Sequence, residues 1–373
     1  MPNNKSQPFL IRFMECPEGY DIGPPDTSLD LRRFINERIR IPAYRPPGES
    51  AQPRPLILSS INDREADWVG IELMKRGIDY LRINSEDISA DIGITCTDAG
   101  IRLCIGDERV TPSNTSVVLL RRFSPALYRF ECSGQLELDL ARREWGRLLG
   151  ILGRSFSCPW INHPIAMRSA ADKLQQLTLA AGFGFSVPRT VVTNESQEAL
   201  EFYTACGGEV IAKVVTQHAF LIDGRQYDIC GRRLKKEDLK LLHSIRHVPV
   251  MLQEFVPKQS EIRITVLGEK VFSTLLKIPD LYYDDYHRFP LTDIEKHPYR
   301  LPQKLADLCL RMAGELNLSV CSIDLILTPG GEYVFLEVNQ GSDWHWLEAE
   351  TGHPITGTLV DLLLRASEGG HEQ

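Results

Sequence analysis

Tyr333-Val334-Phe335-Leu336-Glu337-Val338-Asn339, taken with Ser322-Ile323-Asp324-Leu325-Ile326 shortly before it, is the stretch on which the fold turns. Side chains alternate along a strand, so Val334, Leu336 and Val338 are expected on one face and Glu337 with Asn339 on the other. A carboxylate in an apolar strand is costly unless something pairs with it. Asp324, Glu337 and Asn339 together offer hard oxygen donors, a set that suits magnesium.

Upstream of this pair, Glu261-Ile262-Arg263-Ile264-Thr265-Val266-Leu267-Gly268-Glu269-Lys270-Val271-Phe272 reads as a hairpin turning at Gly268-Glu269. Glu261 and Arg263 fall on one face of its first strand, where a cross-strand ion pair on a solvated sheet, worth about 0–1 kcal/mol, would also account for them. Before the hairpin stands Met251-Leu252-Gln253-Glu254-Phe255-Val256-Pro257, and before that Val210-Ile211-Ala212-Lys213-Val214-Val215. The lone Lys213 in this apolar run either snorkels to the surface or meets an anion. Further back, Ser169-Ala170-Ala171-Asp172 has the form of a capping box, Gly182 offers a stop, and Leu174, Leu177 and Ala181 mark a buried helical stripe with Lys173 at its edge.

Toward the N-terminus the pattern changes. Pro42 to Pro53 is Pro-rich and reads as an extended linker. After it, Leu56–Ser59 reads as a buried strand, Asp63–Arg76 as a helix stopped by Gly77, and Tyr80–Ile83 as a second strand. This βαβ unit has no Gly-x-Gly-x-x-Gly turn and so carries no dinucleotide signal. Val117–Leu120 is another buried strand, followed by Arg121-Arg122. Leu138, Ala141, Trp145, Leu148 and Leu152 follow helical spacing.

Composition bounds the rest. A chain of 373 residues is long for one core and predicts two or three lobes. The 43% hydrophobic and 25% charged content is that of a globular protein, and a net charge of -8 argues against nonspecific nucleic-acid binding. Nine scattered cysteines without Cys-x-x-Cys spacing read as reduced residues of a cytoplasmic protein. No apolar run approaches a membrane span.

Two lysines on separate elements, a Gln-Glu-Phe-Val segment, the Glu261/Arg263 pair and the Asp/Glu/Asn set occur in the order found in ATP-grasp enzymes. The chain resembles that family over roughly residues 160 to 365. The resemblance implies an α/β ATP-grasp fold with an N-terminal pre-ATP-grasp βαβ domain, using ATP and Mg2+. It implies that Lys173 and Lys213 hold the phosphates and that backbone groups of Gln253, Glu254, Phe255 and Val256 bind adenine. By the same resemblance Glu261 binds the ribose, Arg263 faces the transferring phosphate, and Asp324, Glu337 and Asn339 hold magnesium. The expected division is an extension and linker at 1–54, the N-terminal domain at 55–160, a central lobe at 161–252 and a C-terminal lobe at 253–373.

Ser59-Ser60-Ile61-Asn62-Asp63-Arg64, Leu120-Arg121-Arg122, Asp172-Lys173-Leu174-Gln175-Gln176-Leu177 and Asn339-Gln340-Gly341-Ser342-Asp343-Trp344 further resemble the microviridin-type peptide maturases, or graspetide synthetases. Such enzymes join Asp or Glu side chains of a ribosomal precursor peptide to Thr, Ser or Lys side chains. The resemblance implies that peptide as partner, a homodimer, and no nucleic acid or membrane. Pro8, Phe9, Arg12, Phe13 and Glu15 lie in an octapeptide similar to the recognition motif of microviridin leaders, which is expected to dock as a short helix on the central lobe. Two stretches depart from the family: Thr216-Gln217-His218-Ala219-Phe220 lacks glycines, and Asp284-Asp285-Tyr286-His287-Arg288 stands where Asp-Trp-Arg is common. Asp343 and His345 are candidates for the base, against a packing role for each. A ligase for small acids and a non-catalytic nucleotide-binding scaffold are the competing readings.

Overall fold

The computed structural model describes residues 52–86, 92–98, 100–105, 108–123, 134–215, 219–222, 225–228, 231–279 and 291–369. The leader-like segment and the stretches 216–218 and 284–288 lie outside the described residues.

The N-terminal unit opens with β1 (Arg54–Ser59), α1 (Arg64–Lys75) and β2 (Leu81–Asn84). Asp63 caps α1 by accepting from the Ala66 N–H at 3.4 Å, and Gly77 follows the helix at φ +70°. Three short strands, β3 (Ile92–Thr97), β4 (Gly100–Ile105) and β5 (Glu108–Val110), form a separate antiparallel sheet. Then come β6 (Thr115–Leu120), α2 (Gln135–Ser155) and β7 (Trp160–Ile161). The main sheet has the order β2-β1-β6-β7 and is parallel throughout. Every residue of β1 and β6 is buried, which is why both read as unbroken apolar runs. Leu148 and Leu152 of α2 pack on one face, with Leu56, Leu58 and Val118.

Next are α3 (Pro164–Ala170) and α4 (Lys173–Phe183). Here the structure corrects three expectations. The cap of α4 is Asp172, accepting from the N–H groups of Leu174 and Gln175 at 3.0 and 3.1 Å, because Ser169 already belongs to α3. The helix ends at Gly184, with φ +96°, and not at Gly182, which stays helical. Its buried residues are Gln176, Leu177 and Ala180, while Leu174 is 41% exposed and Ala181 is exposed.

The following sheet is built from β8 (Thr190–Thr193), β9 (Val210–Lys213), β12 (Arg232–Arg233) and β13 (Val250–Glu254). α5 (Ser196–Ala205) lies between β8 and β9, the hairpin β10 (Ala219–Ile222) and β11 (Arg225–Asp228) between β9 and β12, and a 3-10 stretch, Lys236–His247, before β13. The order is β12-β9-β13-β8, and β13 runs across the boundary expected at 252/253.

The last sheet contains β14 (Ser260–Leu267), β15 (Lys270–Lys277), β16 (Glu295–Pro298), then, after α6 (Gln303–Glu315), β17 (Val320–Leu327) and β18 (Tyr333–Asn339), in the antiparallel order β16-β15-β14-β17-β18. Gly268 turns β14 into β15 at φ +59°. Alternation along β18 is interrupted. The register with β17 shifts between Asp324↔Glu337 and Leu325↔Phe335, so Leu336 is the extra residue of a bulge. Phe335 therefore shares the core with Val338, Leu177, Met312 and Ile264, correcting the expected Val334/Leu336/Val338 face.

The chain ends with α7 (His345–Thr351) and α8 (Ile355–Gly369). Ile355, Leu359, Val360 and Leu363 of α8 pack with Ile57, Val69, Leu73 and Leu119, covering the second face of the N-terminal sheet. The two ends of the described chain thus share one core. Among the described residues no helix is long and apolar enough to cross a membrane.

Candidate active site

β14, β17 and β18 carry the expected residues in rows. Arg263 pairs in register with Asp324, and Asp324 with Glu337; one step along, Thr265 pairs with Ser322 and Ser322 with Asn339. Because side chains alternate, these polar residues share one face while Ile262, Ile264, Ile323 and Val338 fill the core on the other. The bulge at Leu336 leaves Glu337 and Asn339 on the polar side, as expected.

Arg263 and Asp324 are 4% and 6% exposed, and one guanidinium nitrogen of Arg263 donates to both carboxylate oxygens at 2.9 and 2.7 Å. The solvated-sheet account of Arg263 therefore fails, since all eight residues of β14 are buried. Burial pushes the Asp324 carboxyl up; Arg263 opposes this, and the charges of Glu337 and Glu261 add to the rise. Lys173, at the first position of α4, reaches Glu337 at 3.0 Å. Asn339 Oδ1 accepts from the Gly341 N–H at 3.1 Å.

These residues fit a divalent cation. Asp324 and Glu337 are register neighbours whose charges oppose one another, and a cation between hard oxygen donors relieves that opposition. The buried Thr265 hydroxyl on the same face has no hydrogen-bond partner among the described residues.

Gln176 fixes α4 to β18. Its amide accepts from the Val338 N–H at 2.8 Å and donates to the Val338 and Ala170 carbonyls at 2.8 and 2.6 Å. Lys173 is thereby held one helical turn from the strand that carries Glu337 and Asn339. Reading Gln176 from sequence would have required seeing a polar residue inside the buried stripe of α4.

Of the remaining expected residues, Lys213, Gln253 and Glu254 lie on β9 and β13, Phe255 and Val256 follow β13, and Glu261 is the second residue of β14. Lys213 Nζ donates to Gln253 Oε1 at 2.8 Å, and Gln253 Nε2 donates to Thr190 Oγ1 at 3.0 Å. Of the backbone groups expected to bind adenine, the Glu254 N–H is taken by the Arg189 carbonyl and the Phe255 N–H by the Glu209 carbonyl, both at 2.9 Å. That leaves the Val256 N–H, which has no acceptor among the described residues. The Glu254 side chain points to Arg189, accepting from Nε and from a terminal nitrogen at 3.0 and 3.1 Å. Glu261 accepts from Lys258 Nζ at 2.6 Å. Lys258, 7% exposed, was not singled out in the sequence; a lysine three residues before a glutamate at a strand's start is an ordinary local pattern.

Asp343 and His345 have structural partners. Arg121, 7% exposed, donates to Asp63 from two nitrogens at 3.2 Å and to the Gly341 and Ser342 carbonyls at 2.5 Å, reaches Asp343 at 3.2 Å, and lies over the Trp344 ring at 4.5 Å. Asp343 also pairs with Arg122. His345 stacks on Trp68 with centroids 4.8 Å apart, and burial lowers its pKa. Arg121 thus ties the loop after Asn339 to the end of β6. Burial raises the nearby Glu65 to about 7, although Arg121 opposes the rise.

Comparison with known proteins supplies the family. The model of the RimK-like ATP-grasp domain matches residues 170–363, just over half of the chain. The chain belongs to the RimK-like ATP-grasp family. It is an ATP-grasp ligase, and members of this fold use ATP and Mg2+. A probable alpha-L-glutamate ligase of Azotobacter vinelandii is 23% identical over 217 residues, which cover 56% of this chain and 68% of that one. The RiPP-associated ATP-grasp ligase of Chryseobacterium gregarium, solved with ADP and a leader and core peptide, aligns with a TM-score of 0.73 at 25% identity, covering 84% of this ligase and 97% of that chain. Macrocyclase MdnB of Microcystis aeruginosa MRC aligns with a TM-score of 0.70 at 26% identity, covering 84% and 99%.

Proposed function

We propose that this ligase closes rings in a ribosomally made peptide, joining Asp or Glu side chains to Thr or Ser hydroxyls or Lys amines as ω-esters or ω-amides. The observation that carries the reading is the closeness of the structural likeness: the RiPP-associated ligase and macrocyclase MdnB superpose with TM-scores of 0.73 and 0.70 over 84% of this chain, whereas a RimK domain ATP-grasp protein of Sphaerobacter thermophilus, over 83%, reaches 0.52.

A carboxylate is a poor electrophile at neutral pH. In the proposed reaction it attacks the γ-phosphorus of ATP, ADP leaves, and the resulting acyl phosphate is opened by the hydroxyl or amine, which expels phosphate. Positioning and charge neutralisation supply most of the catalysis. Lys173 and Lys213 would hold the phosphates, the Val256 N–H and its backbone neighbours adenine, and Glu261 the ribose. Arg263 would face the transferring group, while Asp324, Glu337 and Asn339 would hold Mg2+, which when bound neutralises phosphoryl charge. The buried Arg263–Asp324 pair supports this by fixing a cation and a carboxylate side by side where water is excluded.

The proposal retains the division at 55–160, 161–252 and 253–373, with the second boundary moved past β13. It also retains a homodimer in the cytoplasm and a leader segment around Phe9, Arg12 and Phe13 that activates its own enzyme. Resemblance supports the dimer and the leader, the spacing of the cysteines supports the cytoplasm, and sedimentation tests the dimer. The test of the reaction is mass spectrometry of leaderless peptides rich in Thr, Ser, Lys, Asp and Glu, incubated with magnesium-ATP and either the full chain or a version beginning near Pro53. Loss of one water per ring with the full chain, and only with added leader for the shorter one, is expected. Conjugation of a small acid or amino acid is the second reading, favoured by the glutamate ligase likeness; a gain in mass that requires free glutamate would select it.

A further inference from the structure

We propose that an open depression over α2 and α3, lined by Arg142, Arg143, Arg147 and Arg168, binds a run of acidic side chains in the peptide substrate. The inference rests on the reading that the substrate is a peptide. The depression has a volume of about 550 Å³, and its lining sets four arginines against one glutamate, Glu144, in a chain whose net charge is -8.

Ion pairing divides the arginines of the molecule. Arg54, Arg76, Arg82, Arg121 and Arg263 each sit in an ion pair. None of the four lining arginines has an ion-pair partner among the described residues, although Asp139 and Glu144 lie within one helical turn of Arg143 and Arg147 on α2. Arg142 Nε is moreover buried without a hydrogen-bond partner, and a donor withdrawn from water in that way carries a desolvation cost that an acceptor would remove. Four like charges gathered against a single carboxylate raise the local concentration of anions and suit carboxylates, which a guanidinium fork binds through two parallel hydrogen bonds.

Position connects the depression to the site. Arg168 lies in the last turn of α3, five residues before Lys173, so their Cα atoms are within about 19 Å. An extended peptide covers that span in about six residues. A substrate for this reaction must carry Asp or Glu, and acidic residues beyond the reacting one would reach the arginines. Among the described residues no aromatic ring lines the depression, so none supplies the stacking platform that single-stranded nucleic acid uses.

The test is fluorescence anisotropy of a labelled peptide of about six glutamates, with the matching glutamine peptide as control, titrated with the full chain and with the R143E/R147E/R168E variant. All three positions are exposed, and an unchanged thermal midpoint confirms that the variant folds. The expected result is saturable binding of the glutamate peptide that weakens about tenfold or more in the variant and with added salt, with little binding of the glutamine peptide. Equal affinity of both proteins, equal affinity for both peptides, or tighter binding of an oligonucleotide of matched charge overturns the proposal. Binding needs no turnover, so its failure is distinct from a failure to remove water from any peptide, which would refute the ring-closing reading instead.

Discussion

Replacing Arg263 with Met keeps most of the side chain's length but removes its charge, leaving Asp324 in a site where the carboxylate is 6% exposed and already opposed by Glu337 and Glu261. Breaking a buried ion pair from one side costs about 3–5 kcal/mol, because the partner's desolvation is left uncompensated. Arg263 is the opposing influence on an Asp324 carboxyl that burial already raises, so its loss raises that carboxyl further. A carboxyl whose folded pKa lies above its unfolded value favours folding as pH falls, since the folded state takes up the proton. The deficit of the variant should therefore be largest at about pH 8 and shrink at about pH 5. Urea unfolding at both pH values measures it, and combining Arg263→Met with Asp324→Asn should restore much of the loss. A deficit under about 1 kcal/mol, or one independent of both pH and Asp324, would refute the reasoning.

Three further outcomes follow from the packing. Gln176→Leu strands the buried Val338 N–H and carbonyl and should lower stability by about 2–4 kcal/mol while raising the Mg2+ concentration needed for ATP turnover; unchanged values of both would show that α4 does not position β18. At Gly70 an added Cβ would lie 2.9 Å from Tyr80 Cζ and closer still to its hydroxyl, so Gly70→Ala should cost about 1–3 kcal/mol in thermal unfolding, part of it recovered by Tyr80→Phe. Glu65, raised by burial from 4.5 to about 7, holds a proton in the folded state that the unfolded chain gives up, so stability should fall between those pH values by on the order of 3 kcal/mol and the slope should flatten in Glu65→Gln.

Features set by local chemistry were legible before any coordinates. The β1-α1-β2 unit announces itself through buried apolar runs, the Asp63 cap and Gly77, and β14-β15 through alternation around Gly268. Features set by a distant partner were not. Ser169 and Asp172 are both good caps, and only the preceding α3, started by His163-Pro164, decides between them. The bulge at Leu336 depends on register with β17, which seven residues of β18 cannot disclose. α8 is visibly apolar, yet nothing in its sequence says that it packs on β1 and β6, more than 230 residues earlier in the chain. In the site, Asp324, Glu337, Lys213 and Arg263 stood out as charges inside apolar runs, and Lys173 at the edge of a helical stripe. Gln176 and Arg121 act through burial and partners far along the chain, and Lys258 through burial beside a local glutamate; a linear pattern displays neither the burial nor the distant partners.

The central claim, that a peptide carboxylate is activated as an acyl phosphate and then captured within the same peptide, is tested most directly by oxygen labelling. A peptide that loses water is prepared with 18O in its Asp and Glu carboxylates and turned over with unlabelled magnesium-ATP, and the released phosphate is analysed. One labelled oxygen in phosphate for every ring closed is the predicted result. Unlabelled phosphate accompanying ring closure would contradict the account.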